Sequence, residues 1–208
     1  MTVNVTKPAL NIREKLAELD KPSGIAGEAM LRADSVQEQR NLIGAGRKNL
    51  IINGDMQVSQ RGDYASATAI TVSQYSLDRW KSVLSVVTET VQDTDGKIKY
   101  AATSSGTGRF GGVQYVEDFA HLAGEEVTFS AKITSNRSDA RLQIYDGVST
   151  INVASHTGGG TEELVTGTVT LSASTTQLRA YIEVADSTGN NLAVTTGDYI
   201  EFTNVQLE

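Results

Sequence analysis

The chain has 208 residues, 39% of them apolar, which is enough apolar material for one well-filled core. It contains no cysteine, and this excludes a disulfide framework and a thiol nucleophile. The formal net charge of −7 argues against a nucleic-acid partner, because binding phosphates needs clustered lysine and arginine. No stretch approaches the roughly 18 consecutive apolar residues of a membrane span, so membrane insertion is not expected.

The residue types change abruptly near residue 47. Both prolines, Pro8 and Pro22, precede this point, and all twelve aromatic residues follow it, starting at Tyr64. Residues 1–47 carry 7 basic and 6 acidic side chains, whereas the remainder carries 11 basic and 19 acidic ones. The sequence therefore predicts an N-terminal arm over residues 1–47 and one domain over residues 48–208.

Two short helices are predicted in the arm. Asn11 and Glu14 have the spacing of a capping box, and Pro22 follows the end of this first helix. The second helix falls between about residues 34 and 46. Helices this short are marginal alone in water, so we expect them to pack on the following domain, on a second copy or on a larger assembly. The residues expected at an oligomer or attachment contact are Ile12, Leu16, Leu19, Leu42 and Ile43.

From residue 48 onward the chain is rich in threonine, serine, valine and glycine, and apolar residues alternate with polar ones. Alternation at period two is typical of half-buried strands. Glycine and aspartate clusters separate the alternating runs, which predicts a mainly β fold built as an antiparallel β-sandwich or barrel. No ten-residue amphipathic helix interrupts these runs, which argues against a parallel sheet. The inward-facing positions are predicted to be Val127, Phe129, Ala131 and Ile133; Leu142, Ile144 and Val148; Val165, Val169 and Leu171; Leu178, Ala180, Ile182 and Val184; and Ile200, Phe202, Val205 and Leu207.

Four sequence blocks follow one another between residues 46 and 208. They are GRKNLIINGDMQVSQRG at residues 46–62, YSLDRW at 75–80, HLAGEEVTFS at 121–130 and YIEFTNVQLE at 199–208. The ordered set resembles tail-fibre and virion appendage proteins of tailed bacteriophages, especially marine ones. The third and fourth blocks resemble the strands of carbohydrate-binding-module-like jelly rolls in that family.

The resemblance implies a jelly-roll sandwich whose first and last strands lie close together, in a structural protein of a virion. The leading interpretation is a tail-fibre or appendage subunit that is anchored by its arm, and whose sandwich either contacts host surface glycans or only decorates the particle. Its implied partners are other tail or capsid proteins, and its implied oligomer is a homotrimer. The first residues lack the basic region and apolar run of a secretory signal, which agrees with assembly in the host cytoplasm. The alternatives are a capsid decoration or head-fibre protein without a ligand, and a carbohydrate-binding module that acts mainly as a receptor-binding protein.

Two of the aromatic residues are candidates for sugar contacts, and the single tryptophan is not. Trp80 is the only tryptophan, and because an apolar run follows it at residues 83–87, it is expected in the core. Tyr145 and Tyr181 lie on predicted strands whose neighbouring apolar residues have opposite or ambiguous phase, so one of them is expected to face outward. Since tyrosine offers a flat apolar face and a polar tip, these two are the candidate glycan contacts, with packing at the sheet rim as the alternative.

No residue pattern indicates catalysis or a bound cofactor, and the chain is not expected to be an enzyme. His121 and His156 are expected in solvated loops without metal-ligand spacing. The neighbouring pairs Glu125–Glu126 and Glu162–Glu163 point to opposite faces of a strand. A glycosidase built from carboxylates that are distant in sequence is the alternative left open. The one metal that the resemblance raises is a structural calcium near the first and last strands, where Asp55, Asn204 and Glu208 supply oxygen donors.

Overall fold

The computed structural model describes residues 49–60, 62, 64–71, 73–83 and 89–208, together with Arg32 and Gln39. Arg32 and Gln39 have helical backbone, and the five arm residues expected at a contact, Ile12, Leu16, Leu19, Leu42 and Ile43, lie outside the described residues. Residues 49–208 form one compact unit. No helix in the described part of the chain is long and apolar enough to cross a membrane.

Thirteen strands and one 3-10 turn make up the described part of this unit. The strands are β1 (Thr68–Ile70), β2 (Lys81–Ser82), β3 (Glu89–Asp93), β4 (Ile98–Ala102), β5 (Gly106–Gly108), β6 (Phe110–Val116), β7 (Glu126–Ser135), β8 (Ala140–Tyr145), β9 (Thr150–Ser155), β10 (Glu162–Thr170), β11 (Leu178–Val184), β12 (Leu192–Val194) and β13 (Tyr199–Leu207). The turn spans Ala120–Leu122.

The strands form two large antiparallel sheets and one small one. The six-stranded sheet has the order β1-β3-β4-β13-β7-β10, and the five-stranded sheet has the order β2-β6-β11-β8-β9. β12 and β5 pair separately. The predicted antiparallel β-sandwich is confirmed.

The core consists of the inward-facing residues of both large sheets, at the positions where the alternation places them. Val127, Phe129, Ala131 and Ile133 are all buried in β7, and the predicted inward residues of β11 and β13 are buried as well. Val169 is half-buried against the core, whereas Val148 is 58% exposed. It follows β8 in a tight turn, where its backbone N–H donates to the carboxylate of Asp146, so the alternation does not extend to it.

Trp80 lies in the centre of the core, as predicted, and is fully buried. Its ring meets that of Phe202 edge-on, with centroids 5.2 Å apart, a favourable arrangement for two aromatic rings. Its indole Nε1 donates a hydrogen bond to the carbonyl of Asn53 over 3.1 Å. The apolar run after it continues into residues 84–88, which lie outside the described residues.

The last strand contains one bulge, which is visible in the spacing of its apolar residues. The inward residues Phe202 and Val205 are three positions apart rather than two, and the pairing of β13 with β7 shifts register between Thr203 and Gln206. Asn204 takes a left-handed backbone with φ of 50°, which absorbs the additional residue. Val205 and Leu207 therefore return to the core.

The resemblance implied that the first and last strands lie close together, but β1 pairs with β3 at the edge of the six-stranded sheet. The segment that precedes β1 lies along the last strand instead. The backbone N–H of Leu50 donates to the carbonyl of Leu207 over 2.9 Å, and the N–H of Val205 donates to the carbonyl of Gly54 over 2.9 Å. A side chain at Gly54 would collide with the carbonyl oxygen of Val205, so glycine is required for this close approach. The first and fourth sequence blocks thus meet in space.

Candidate binding surface on the five-stranded sheet

The five-stranded sheet has an outer face, formed by the side chains that alternate with its core residues. In β11 these are Arg179, Tyr181 and Glu183, which lie between the buried Leu178, Ala180, Ile182 and Val184. Each of the three has direct cross-strand partners on β6 and β8. The outer face is therefore organised as three rows of side chains that run across the strands.

The first row places a cation between two tyrosines. Arg179 lies opposite Tyr115 of β6 and Tyr145 of β8. Its guanidinium carbon is 4.7 Å from the centroid of the Tyr115 ring and 5.3 Å from that of Tyr145, distances at which a cation is attracted to a ring. The guanidinium also donates to Gln177 over 2.8 Å through Nε. Tyr115 remains 42% exposed, so this row is open to solvent.

A second cation–tyrosine arrangement extends the first row towards the edge of the sheet. The ammonium of Lys81 in β2 lies 5.0 Å from the centroid of the Tyr115 ring and 4.8 Å from that of Tyr75. Tyr75 bridges to Lys81 through its backbone and is 38% exposed. Lys81 and Arg179 stand on the two strands that flank Tyr115. Four tyrosines and two cations thus share one continuous surface.

The second row is apolar at its centre. Tyr181 lies opposite Val113 of β6 and Gln143 of β8, and it packs with Val113, Val83 and Tyr145 in a small cluster that is separate from the main core. Tyr181 is only 8% exposed, and this burial raises the pKa of its phenol. The cluster forms a floor beneath the exposed tyrosines.

The third row holds a buried carboxyl group. Glu183 lies opposite Gly111 and Arg141 and is fully buried, and neither of its carboxyl oxygens makes a hydrogen bond. Arg109 Nη1 approaches Oε1 to 3.7 Å. Burial raises the pKa of Glu183 to about 8, against the opposing charges of Arg109 and Arg141, so this carboxyl is mostly protonated at neutral pH.

The loop after β11 covers this third row. The side chain of Gln143 donates from Nε2 to the carbonyl of Asp186 over 2.8 Å, and Arg109 donates to the carbonyl of Gly189 over 2.6 Å. The carboxylate of Asp186 accepts bonds from the backbone of Thr188 and Asn190, which fixes the loop. These loop contacts do not extend to the opposite end of the outer face, around Tyr115 and Tyr145.

The two tyrosines predicted from sequence as candidate glycan contacts both lie on this surface. The structure brings Tyr145 and Tyr181 together, with Tyr145 half-buried and Tyr181 nearly buried. Whether either touches a ligand stays a prediction. Sequence reasoning did not single out Lys81, Tyr115 or Arg179, although Arg179 has opposite parity to the predicted inward residues of β11 and could have been assigned to the outer face.

The histidine prediction was half wrong. His156 is 2% exposed rather than solvated, because its Nε2 meets the carbonyl of Thr161 over 2.9 Å and its Nδ1 accepts from the backbone of Gly158 over 2.8 Å. His121 is partly exposed and lies 3.5 Å from the carboxylate of Asp118. The ring of His156 therefore closes the glycine turn at residues 158–160, a structural task.

Glu162 and Glu163 take part in ordinary surface ion pairs and hydrogen bonds. Glu162 accepts from Lys97 over 2.8 Å, and Glu163 accepts from the backbone N–H of Thr157 over 3.1 Å. Among the described residues, no three acidic, histidine or cysteine side chains converge as a metal site. A calcium near Asp55, Asn204 and Glu208 stays a prediction.

Comparisons with known proteins add distant structural neighbours only. No protein-family model and no curated protein matches the chain. Solved structures with some similarity include a CBM4 carbohydrate-binding module, at 16% identity and a TM-score of 0.42, covering 76% of this chain and 98% of that one. They also include TmCBM61 in complex with β-1,4-galactotriose, at 12% identity and a TM-score of 0.39, covering 77% and 98%. A mutant of the family 29 module CBM29-2 follows at 13% identity and 0.38, covering 69% and 91%. Similarity at this level does not indicate a ligand for this chain.

Proposed function

We propose that this chain is a non-catalytic carbohydrate-binding subunit of a tailed-bacteriophage particle, and that its sandwich binds host surface glycans through the outer face of the five-stranded sheet. One observation carries the binding half of the proposal. Four of the seven tyrosines, Tyr75, Tyr115, Tyr145 and Tyr181, lie together on that face with Lys81 and Arg179.

The chemistry of this face suits a polyhydroxylated ligand. Tyrosine hydroxyls both donate and accept hydrogen bonds, while guanidinium and ammonium groups donate them, so the row can engage sugar hydroxyls that lie along it. Tyrosine contributes large contact area at little cost in side-chain entropy. All of these groups except Tyr75, which bridges to Lys81 through its backbone, stand on adjacent strands, and this holds their spacing fixed.

The virion half of the proposal is supported by the four ordered sequence blocks that resemble tail-fibre and appendage proteins. In it, residues 1–47 attach the subunit to other tail or capsid proteins, with Ile12, Leu16, Leu19, Leu42 and Ile43 at the contact. The subunit is a homotrimer in the assembled virion. A capsid decoration or head-fibre protein without a ligand is the competing function, and it requires no binding face.

A glycan array probed with the full-length protein tests the binding half. We expect retention of a restricted subset of bacterial surface glycans, without release of reducing sugar. Failure to bind any glycan would favour the decoration function, and release of reducing ends would show an enzyme. For the virion half, electron microscopy of the phage particle with the subunit labelled should locate it on a fibre or appendage, and its absence from the particle would contradict the proposal.

A further inference from the structure

The outer face of the five-stranded sheet is a cationic surface on an acidic domain. Residues 48–208 carry 11 basic and 19 acidic side chains. Four of the eleven cations, Lys81, Arg109, Arg141 and Arg179, lie on this one face. Among the described residues of the three rows, Glu183 has the one carboxyl group and is fully buried. The carboxylates of Asp139 and Asp186 lie beside the third row, near Arg141, and not beside Lys81 or Arg179.

Two of these cations have no acidic partner within the described part of the chain. Lys81 and Arg179 contact tyrosine rings but form no ion pair with a described carboxylate. Arg109 and Arg141, in contrast, approach Glu183 and Asp139 to 3.7 and 3.6 Å. A cation without a carboxylate partner can pair with a negatively charged ligand without first breaking an internal ion pair.

The hydrogen bonds of Arg179 leave one edge of its guanidinium group available to such a ligand. Its Nε donates to Gln177 over 2.8 Å, and its Nη1 lies 3.4 Å from the hydroxyl of Tyr181. Its Nη2 donates to no described residue. Since the two flanking rings restrict the plane of the guanidinium, this donor has a fixed direction, which suits the planar recognition of an anionic oxygen.

From these contacts we propose that the outer face selects acidic polysaccharides, whose anionic groups bind at Lys81 and Arg179 on the two sides of Tyr115. This inference rests on the proposed function and specifies its substrate class. The anion is a carboxylate of a uronic acid or a sulfate ester, which share the oxygen chemistry that the two cations recognise.

A nucleic acid fits the same surface less well. Single-stranded nucleic acids bind by stacking bases on open aromatic faces, whereas Tyr115 has a cation close to its ring on the side of each neighbouring strand. A polynucleotide also brings a charge at every residue towards a domain with a strong excess of carboxylates. An acidic polysaccharide that alternates charged and neutral sugars, as hyaluronan does, meets the two cations with less repulsion elsewhere.

The test measures binding of the full-length protein to polygalacturonate, alginate and hyaluronan, each beside its carboxyl-reduced form, which keeps the sugar backbone and loses the charge. Dextran sulfate beside dextran provides the sulfate arm, and an oligothymidylate provides the nucleic-acid arm. We expect at least one acidic polymer to bind about tenfold more tightly than its neutral counterpart. This preference should weaken as salt is raised.

Three variants assign the preference to the site. Lys81→Gln and Arg179→Gln should each remove most of the preference for the acidic form. Lys99→Gln is the matched control, because Lys99 lies 4.6 Å above the ring of Tyr199 on the six-stranded sheet and the substitution changes net charge equally. It should leave the preference intact. Because Lys81 stands on β2 and Arg179 on β11, the Lys81→Gln variant keeps the test decisive if Arg179→Gln does not fold.

The outcomes separate this inference from the function on which it rests. Equal binding of acidic and neutral forms, or retention of neutral glycans alone, would overturn the acidic preference and leave glycan binding in place. Binding of no glycan would overturn both. Equally tight binding of the oligothymidylate would show a general polyanion surface and would also overturn the inference. Preference for dextran sulfate alone would support it and identify the anion as sulfate.

Discussion

The guanidinium of Arg179 lies 4.7 Å from the centroid of the Tyr115 ring, and the two residues are direct cross-strand partners in β11 and β6. Because the pair is fixed by the ladder and by the second ring of Tyr145, the charge is already ordered before any ligand arrives. A preordered cation loses little conformational entropy on binding. Because Arg179 is ordered in advance, the arrangement favours ligand recognition by the outer face over a purely structural role.

Trp80→Ala should be among the most destabilising single substitutions in the domain. The indole is fully buried, contacts Phe202 and donates to Asn53, so its removal leaves a large cavity. We expect a loss of about 3 to 5 kcal/mol in the free energy of unfolding, measured by urea denaturation followed by circular dichroism. Trp80→Phe keeps the ring contact and should lose clearly less. Equal stability of Trp80→Ala and the parent protein would refute the central place given to Trp80.

Asn49→Ala should loosen the seam between the first segment and the last strand. The Asn49 side chain donates to the carbonyl of Val205 over 2.9 Å and accepts from the N–H groups of Ile51 and Leu207 over 3.0 Å each. Loss of these bonds should lower the free energy of unfolding by about 1 to 3 kcal/mol. Asn190→Ala serves as the control, since the exposed side chain of Asn190 donates only to the nearby Thr188. Similar losses in both variants would show that the Asn49 hydrogen bonds contribute no more to stability than the exposed hydrogen bond of Asn190.

Glu183→Gln should change how stability depends on pH. The pKa of Glu183 is about 8 in the folded protein, against an ordinary value of 4.5 for a glutamate carboxyl. Between these pH values the folded state holds a proton that the unfolded state has released, so the free energy of unfolding falls as pH rises. The decrease is about 1.4 kcal/mol per pH unit from this group, and it ends above about pH 8.

Urea denaturation at pH 5, 6.5 and 8 measures this effect. Glutamine has no proton to lose, so the variant should show a flatter profile and become more stable than the parent protein at pH 8. The carboxyl of Asp186 does not interfere, because hydrogen bonds from Asn190 and Thr188 lower its pKa and its contribution is lost only in more acidic solution. Parallel profiles for the two proteins would contradict a buried, protonated Glu183.

Much of the sandwich could be predicted from local pattern, and the reason is the period of two in its strands. The alternation in β7 and β11 identified the buried residues because one face of each strand packs on the core. Even the bulge at Asn204 was marked by the three-residue step from Phe202 to Val205. The misplacement of Val148 has the same origin, since an apolar residue in a tight turn resembles the continuation of a strand.

The binding surface could be predicted only in part, because it depends on strand order. Tyr115, Tyr145 and Arg179 are far apart in sequence and become neighbours only through the order β6-β11-β8. Tyr145 and Tyr181 could be predicted because they alternate with the apolar residues of their own strands. The sequence did not show which strands would lie beside them, so Lys81, Tyr115 and the buried Glu183 were not predicted as part of the surface. His156 was misassigned because a hydrogen-bonded turn that buries a ring has no period.

The most direct test of the account is a glycan array that compares the parent protein with the double variants Tyr145→Ala/Arg179→Gln and Lys99→Gln/Tyr199→Ala, after circular dichroism has shown that all three are folded. The second pair removes a cation–tyrosine contact of 4.6 Å from the six-stranded sheet. We expect the parent protein and the Lys99→Gln/Tyr199→Ala variant to retain the same glycans, and the Tyr145→Ala/Arg179→Gln variant to retain none. An unchanged glycan pattern in the Tyr145→Ala/Arg179→Gln variant would contradict the account.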